Sequence, residues 1–394
     1  MSRSNRSRSN RSRGNRARAA RRTAPGAVLL TALTALVALV GLTASGCGGA
    51  HGRATAGPAG SSVASVGRSA TGPAATPGAS GASAEIGSAT SRPSPSRSAP
   101  AAGSSKATSK GASAPAGSPA ALKGPCASPA ACGFPDAGST GPRIGLTAHS
   151  GNLELRTDGQ VISGWDLTGS LDIYANNVTV IDSRITSSNW WGVNLRAGYS
   201  GLRVLHSTVT GVPGKGPDNG GEDYAVSNMG GSSLEVGWNN ISVFVNAISM
   251  GQGNIHDNYV HDISPFINAD GQWAHTDAVI SDGGNTGLLT VRHNTLLNPT
   301  DAAHGASASI GLYADTGSVA NSVVDGNWLA GGAYALYGGG PGAHGIQVTN
   351  NVFSSQYHPG SGVYGAVAYW NAGGAGNTWS NNRMSDGTPV SPGS

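Results

Sequence analysis

Basic side chains are nearly absent from the larger part of this chain. Of its 24 Lys and Arg, only 8 lie after residue 123, and Lys215 is the one lysine among them. The same stretch holds 19 of the 20 acids, so its formal charge is about −11 although the whole chain carries +4. A face that grips nucleic acid must offset phosphate charge, so no nucleic-acid partner is expected. Leu, Glu and Lys are too rare, beside 62 Gly, for a helical solenoid. No phosphate loop, nucleophile elbow or metalloprotease motif occurs, and there is no Asp-Asp dipeptide. Cysteine is limited to Cys47, Cys126 and Cys132. Cys126 and Cys132, in "CASPAAC", make a poor zinc site because no nearby His completes it. Outside a cell they are expected to close a small disulfide loop.

The basic residues are concentrated at the start. Residues 1–22 hold nine Arg and no acid, and "AVLLTALTALVALVGLTA" follows at 27–44. A basic start before an apolar run is an export signal. The run is long for a cleaved signal and short for a membrane span. "LTASGCGG" then resembles the lipobox of bacterial lipoproteins, with Ala44 where Leu, Val or Ile is usual. That resemblance implies lipidation at Cys47 and a cell-surface protein. An uncleaved signal anchor and free secretion are the alternatives. All three send the remainder outward and limit membrane contact to the anchor. Arg21-Arg22 lacks the residues that usually follow a twin-arginine pair. Residues 48–123 are mostly Ala, Gly, Ser, Pro and Thr. Such a segment has too little apolar surface to offset chain entropy, so a disordered tether is expected. The folded domain is expected over 124–394, as a monomer.

Within that domain one pattern recurs: apolar, any, apolar, two of any kind, Asn or Ser, any, apolar. It appears as "VTVIDSRI" (178–185), "LRVLHSTV" (202–209), "LEVGWNNI" (234–241), "LTVRHNTL" (289–296), "SVVDGNWL" (322–329) and "IQVTNNVF" (346–353). Weaker copies are "GNIHDNYV" (253–260) and "NTWSNNRM" (377–384). The shared Asn or Ser falls at 183, 207, 239, 258, 294, 327, 351 and 382, in steps of 19 to 36 residues. The internal period of two predicts strands. The Asn sits at a bend, where it is expected to face inward and stack on its equivalents as a hydrogen-bonded ladder. A second short strand follows each copy after a variable gap: "WGVNL", "YAVSN", "NAISM", "DAVIS", "IGLYA", "YALYG" and "GAVAY". The gaps reach fourteen residues before Tyr224 and sixteen before Asp277, so loop variation is concentrated at one corner.

Residues 150–394 resemble the right-handed, single-stranded parallel β-helix proteins of the pectate-lyase-like superfamily. The likeness rests on this repeat and on the opening segment "GQVISGWDLTGSLDIYANNVTVIDSRI" (159–185), of a kind seen in secreted actinobacterial members. It implies an all-β solenoid. It does not fix the chemistry, because the fold carries lyases, hydrolases, epimerases and non-catalytic binders. The Arg-containing motifs of the superfamily's pectate lyases have no match here, and "AHG" at 303–305 and 343–345 matches the hydrolases' Gly-His-Gly only in part.

Register turns the repeat into candidate sites. Asp182, His206, Trp238, Asp257 and His293 precede the bend residue, with His256, Arg292 and Asp325 one position earlier. These are expected to form a solvated surface row, with Arg292 facing Asp325 on the next coil. Tyr224, Asn246, Asp277, Ile310 and Tyr334 are expected to share a row at the start of the second strand. Glu222 and Asp223 precede Tyr224, and Asp282 is expected level with Asp315. The two longest loops bring Lys215 and Trp273 beside them. The chemistry best served is lyase-type cleavage of an acidic, uronate-containing polysaccharide. Glu222, Asp223, Asp277 and Asp282 would hold a cation such as Ca²⁺ that neutralises the substrate carboxylate. His275, Lys215 or Asp277 would supply catalytic groups. Trp273, Tyr224, Tyr334 and Asn246 would bind the sugars. The alternative is a non-catalytic glycan-binding or spacer protein of the cell wall. Capping of the strand by Asp277 and Asn246, with His275 an ordinary loop residue, would suffice there.

Overall fold

The computed structural model describes residues 124–392, except residue 230. The export signal over 1–47 with Cys47, and the tether over 48–123, lie outside the described residues. The described chain is a parallel β-helix. Each coil contributes one strand to each of three parallel sheets, so strands of one sheet are neighbours in every third position of the chain order. Sheet A runs from Thr147–Ser150 to Arg383–Met384, sheet B from Leu153–Leu155 to Gly365–Ala368, and sheet C from Val161–Ser163 to Thr378–Ser380.

The apolar positions of the repeat form vertical stacks inside the coil. Val180, Val204, Val236, Ile255, Val291, Val324 and Val348 are successive register partners in sheet C. Ile185, Val209, Ile241, Val260, Leu296, Leu329 and Phe353 form the equivalent stack in sheet A. Every member of both stacks is buried. β-Branched side chains suit this arrangement, since each meets a like-shaped neighbour one strand away. Full burial of each contributes roughly 1.5–3 kcal/mol.

The bend between sheets C and A needs a left-handed residue. Asp182, His206, Trp238, Asp257 and His293 take φ between 43 and 55° there. Next comes the ladder. Asn239, Asn258, Asn294, Asn327, Asn351 and Asn382 are buried. Oδ1 of Asn294 accepts both the backbone N–H and Nδ2 of Asn258 at 2.9 Å. Its own Nδ2 donates to the Ile255 carbonyl at 3.1 Å and to Oδ1 of Asn327 at 2.9 Å. Ser183 and Ser207 occupy the same position in the first coils, where a hydroxyl accepts instead: the Ser183 N–H donates to Oγ of Ser207 at 3.1 Å.

The row beside this bend is not the solvated surface expected of it. Asp182, His256, Asp257 and Asp325 are all buried. Residues 125–146 account for part of this, because they form a strap running back along the solenoid from its last coil to its first. The Cys126 N–H meets the Ser385 carbonyl, the Gly133 carbonyl meets Nε2 of His293, and the Gly141 N–H meets the Trp238 carbonyl. Arg143 then forks onto Asp182, at 2.7 Å from Nε and 2.8 Å from Nη2. Phe134 is the strap's apolar anchor, edge-on to Trp328 and stacked on His293. Cys126 and Cys132 are bonded to each other, with Cα atoms 5.8 Å apart, and close a turn at the strap's start. Arg292 and Asp325 are register partners as expected, but their nearest charged atoms stand 4.0 Å apart.

Candidate functional site

Sheet B presents a polar and aromatic row at the start of its strands. Its register runs Trp191, Tyr224, Asn246, Asp277, Ala308, Tyr334, one residue per coil. Three members carry a buried polar atom without a protein partner: Nε1 of Trp191, Oδ1 of Asn246 and Oδ2 of Asp277. Buried polar groups in folded proteins are nearly always satisfied, so such a run on one row is a sign of a site. One expected member is displaced. Ile310 pairs with Val279 in the buried stack, and Ala308 takes its place in the row. The strand Ala306–Leu312 holds two small residues at alternate positions, Ser309 and Gly311, and Ser309 rather than Gly311 stands level with Ala278, which moves the strand by two residues. The same two-residue offset corrects a second expectation. Ser281 pairs with Leu312, so Asp315 lies two residues beyond the level of Asp282.

Asp277 is the centre of the row. It is fully buried, and its Oδ1 accepts a hydrogen bond from the Tyr313 hydroxyl at 2.8 Å. That hydroxyl is also 2.6 Å from Oγ of Ser307. Burial pushes the Asp277 carboxyl up to about 7, against the Tyr313 and Ser307 hydrogen bonds, which pull it down. Tyr313 reaches Asp277 by lying across Gly311, where a Cβ would come within 2.1 Å of the ring. Tyr313, Ser307 and Gly311 were not expected in the site. The one available signal was a glycine two residues before a tyrosine, at an outward position of a strand.

Tyrosines continue the face toward the last coils. Tyr313 and Tyr337 have ring centroids 5.2 Å apart, and Tyr337 stacks on Tyr369 at 5.8 Å. Tyr334 stands edge-on to Tyr337 at 5.6 Å and tilted to Tyr364 at 5.9 Å. Tyr364 and Tyr369 are 65% and 67% exposed, high values for rings that could have been buried. At the other end Arg196 lies over the Trp191 ring, 4.5 Å from its centroid, and is paired with Asp172 at 2.8 Å.

Two loops wall the middle of this face. The loop before Tyr224 and the loop before Thr276 bind each other: Nδ2 of Asn219 donates to the Ile267 carbonyl and the Ala269 N–H donates to Asp218, both at 2.9 Å. Phe266 lies against Gly221, where a Cβ would come within 2.1 Å of its ring. Trp273 is half-buried on this wall, edge-on to His304 at 4.7 Å. His275 is exposed between the buried Ala274 and Thr276, and Lys215 is exposed near the tip of its loop.

The acids separate into different environments. Glu222 is buried, turned toward Gly211, and accepts the Val212 N–H at 3.2 Å. Asp223 is half-buried beside Tyr224. Burial raises each to about 7, and Asp218 adds to the effect on Asp223. Asp282 is raised by burial and by Asp315. Burial also raises Tyr224, and the charges of Asp223, Asp282 and Asp277 add to the effect. Among the described residues no group of three His, Cys, Asp or Glu side chains is arranged to hold a metal ion. Glu222, Asp223, Asp277 and Asp282 therefore share a neighbourhood without converging on one point.

Compared with protein-family models, curated proteins and solved structures, the chain shows no match.

Proposed function

We propose that the outer face of sheet B is a binding groove for an extended polysaccharide. The reading resembles the way pectate-lyase-like proteins use a solenoid. The observation that carries it is the row from Trp191 through Tyr224 and Asp277 to the tyrosines at 334, 337, 364 and 369. Flat aromatic faces cover the apolar faces of sugar rings, and the exposed rings of Tyr364 and Tyr369 offer such faces here. If the leader is an export signal, the groove works at the cell surface.

A second reading adds cleavage. Glu222, Asp223 and Asp277, each lifted to about 7, are near the proton affinity that suits acid–base catalysis at neutral pH. Asp223 is the accessible one of the three. Elimination on a uronate would need a cation beside the substrate carboxylate, supplied by Lys215 or by a Ca²⁺ that the substrate itself brings. The deciding experiment incubates the full chain with polyuronates and neutral glycans, with Ca²⁺ and then with chelator. Ultraviolet absorbance reports an unsaturated product, and reducing ends report hydrolysis. Binding without either product supports the groove alone; a product abolished by Asp223→Asn supports cleavage.

A further inference from the structure

Charge is spread unevenly along the solenoid. Residues 326–382 hold no Asp, Glu, Lys or Arg, although the domain as a whole carries about −11. They form its last coils, from the strand Trp328–Gly331 to the strand Thr378–Ser380. The same stretch holds five of the ten tyrosines and three of the eight tryptophans. Aromatic enrichment with loss of charge is the composition of an interface core rather than of a solvated end.

The backbone at that end is also left open. Gly365–Ala368 is the last strand of sheet B. It pairs with Tyr334–Gly338 on one side, and among the described residues no strand pairs with its other side. Residues 385–390 fold back over the ends of the other two sheets. There the Val390 N–H meets the Asn382 carbonyl, the Met384 N–H meets the Thr388 carbonyl, and Nε1 of Trp379 donates to the Val390 carbonyl at 2.8 Å. Native sheets commonly blunt a free edge with charge. The opposite edge of sheet B does so: Leu153–Leu155 carries Glu154, paired with Arg156 at 2.6 Å. "YGAVAY" at 364–369 has no such guard. Ala366 and Val367 pack, half-buried, on the end of the core, and the exposed Tyr364 and Tyr369 flank them.

We infer that this end is a dimer interface: Gly365–Ala368 pairs antiparallel with the same strand of a second copy, about a two-fold axis normal to sheet B. An edge strand is matched by a strand, because another backbone meets its open N–H and C=O groups at regular spacing. A second copy brings an equally uncharged surface. Two domains of like net charge repel, and contact through the neutral coils keeps their acids apart. A head-to-tail contact would instead bury the charged first coils, with Glu154, Arg156 and Asp172, against the neutral end, and it would grow without closing. The two-fold pairing closes at two chains. It also leaves the outer faces of both sheets B on one side, so the two tyrosine-lined ends meet at the seam. This pairing stands apart from what the groove binds.

Sedimentation velocity on the full chain reads the mass, and the expected result is twice that of one chain. Ala366→Lys and Ala366→Glu each set like charges against one another in the middle of the seam. Each variant alone should sediment as a single chain with unchanged circular dichroism. Mixed in equal amounts, the two should return to the double mass, which a merely misfolded end would not do. A native chain that stays single up to its solubility limit overturns the proposal. A double mass that neither variant lowers also overturns it, because the contact then lies elsewhere. So does a series of growing masses, the mark of an open head-to-tail assembly, and so do variants that remain single when mixed.

Discussion

The Tyr313 hydroxyl donates to Oδ1 of Asp277 at 2.8 Å across the bare position of Gly311, and the other carboxyl oxygen has no protein partner. A carboxyl so placed prefers to be protonated. Its folded-state pKa, about 7, lies above the ordinary value for a free aspartate. Between those two values the folded protein holds a proton that the unfolded chain has lost. Stability from this group is therefore complete at about pH 4 and is lost as pH rises through about 7. Asp277→Asn removes the dependence, because an amide stays neutral. At pH 8 it should stabilise the fold by about 2–4 kcal/mol relative to the native chain, and near pH 4 the gain should vanish. Urea unfolding at the two pH values measures this. A gain of the same size at both would mean that burial of charge is not the cause.

Gly311→Ala should act on the same contact from the other side. An added methyl would occupy the space of the Tyr313 ring and push its hydroxyl away from Asp277 and Ser307. The expected cost is about 1–3 kcal/mol, typical of overpacking. Tyr313→Phe keeps the ring and removes only the donor, so it should cost less and should raise the pH at which Asp277 ionises. Thermal melting of both variants, with carboxyl titration by NMR, separates packing from hydrogen bonding.

The solenoid was legible in the sequence because its determinants repeat. Eight copies of the bend and seven of the sheet B strand gave independent readings of one rule, and the ladder from Ser183 to Asn382 lies where the spacing put it. The row Tyr224, Asn246, Asp277 was legible for the same reason. Ile310 was misplaced because "ASASIGL" offers two small residues, Ser309 and Gly311, as equivalents of Ala278, and the one that pairs is Ser309. Tyr313 was missed because its role depends on folding back over Gly311, which a strict two-residue alternation does not foresee. The strap was illegible altogether. Its partners, Asp182, Trp238, His293 and Ser385, are scattered over some two hundred residues, and no periodic pattern announces a segment that crosses every coil.

The ladder invites a direct measurement. Asn294→Ala would strip the Asn258 N–H of its acceptor and the Ile255 carbonyl of a donor, deep inside the stack. Each abandoned buried group costs about 1–3 kcal/mol, so a total loss of about 2–5 kcal/mol is expected. Asn382→Ala, at the last rung, likewise strips the Asn351 N–H and the Val348 carbonyl, but it has no further rung to bond and lies at the end of the stack where water can reach the abandoned groups, so it should cost less. Chemical denaturation of both ranks them; equal losses would show that position in the stack does not matter.

Protonation should hold the strap in place. Both nitrogens of His293 face acceptors: Nδ1 is 2.6 Å from Oδ1 of Asp257, and Nε2 is 2.9 Å from the Gly133 carbonyl. A neutral imidazole has one N–H and cannot donate to both. His256 beside it has the same arrangement, between Asp257 at 2.9 Å and Glu235 at 3.2 Å. Burial lowers the His256 pKa, but the hydrogen bonds and charges of Asp257 and Glu235 outweigh it and carry the value up to about 9. The Asp257 hydrogen bond raises His293 as well, and the strap's own carbonyl adds to it. Histidines raised in this way stabilise fully below their unfolded value and lose the contribution as pH climbs through the folded one. Protease cleavage within residues 125–143 should therefore quicken between pH 7 and pH 10. Phe134→Ala should produce the same release at pH 7, since removing a buried aromatic anchor costs about 3 kcal/mol or more. The solenoid beneath has its own ladder and stacks, so its circular dichroism should hold while the strap is cut. Cleavage that stays flat across the pH range in the native chain, yet rises in Phe134→Ala, would leave packing as the clasp and the paired imidazoliums as bystanders.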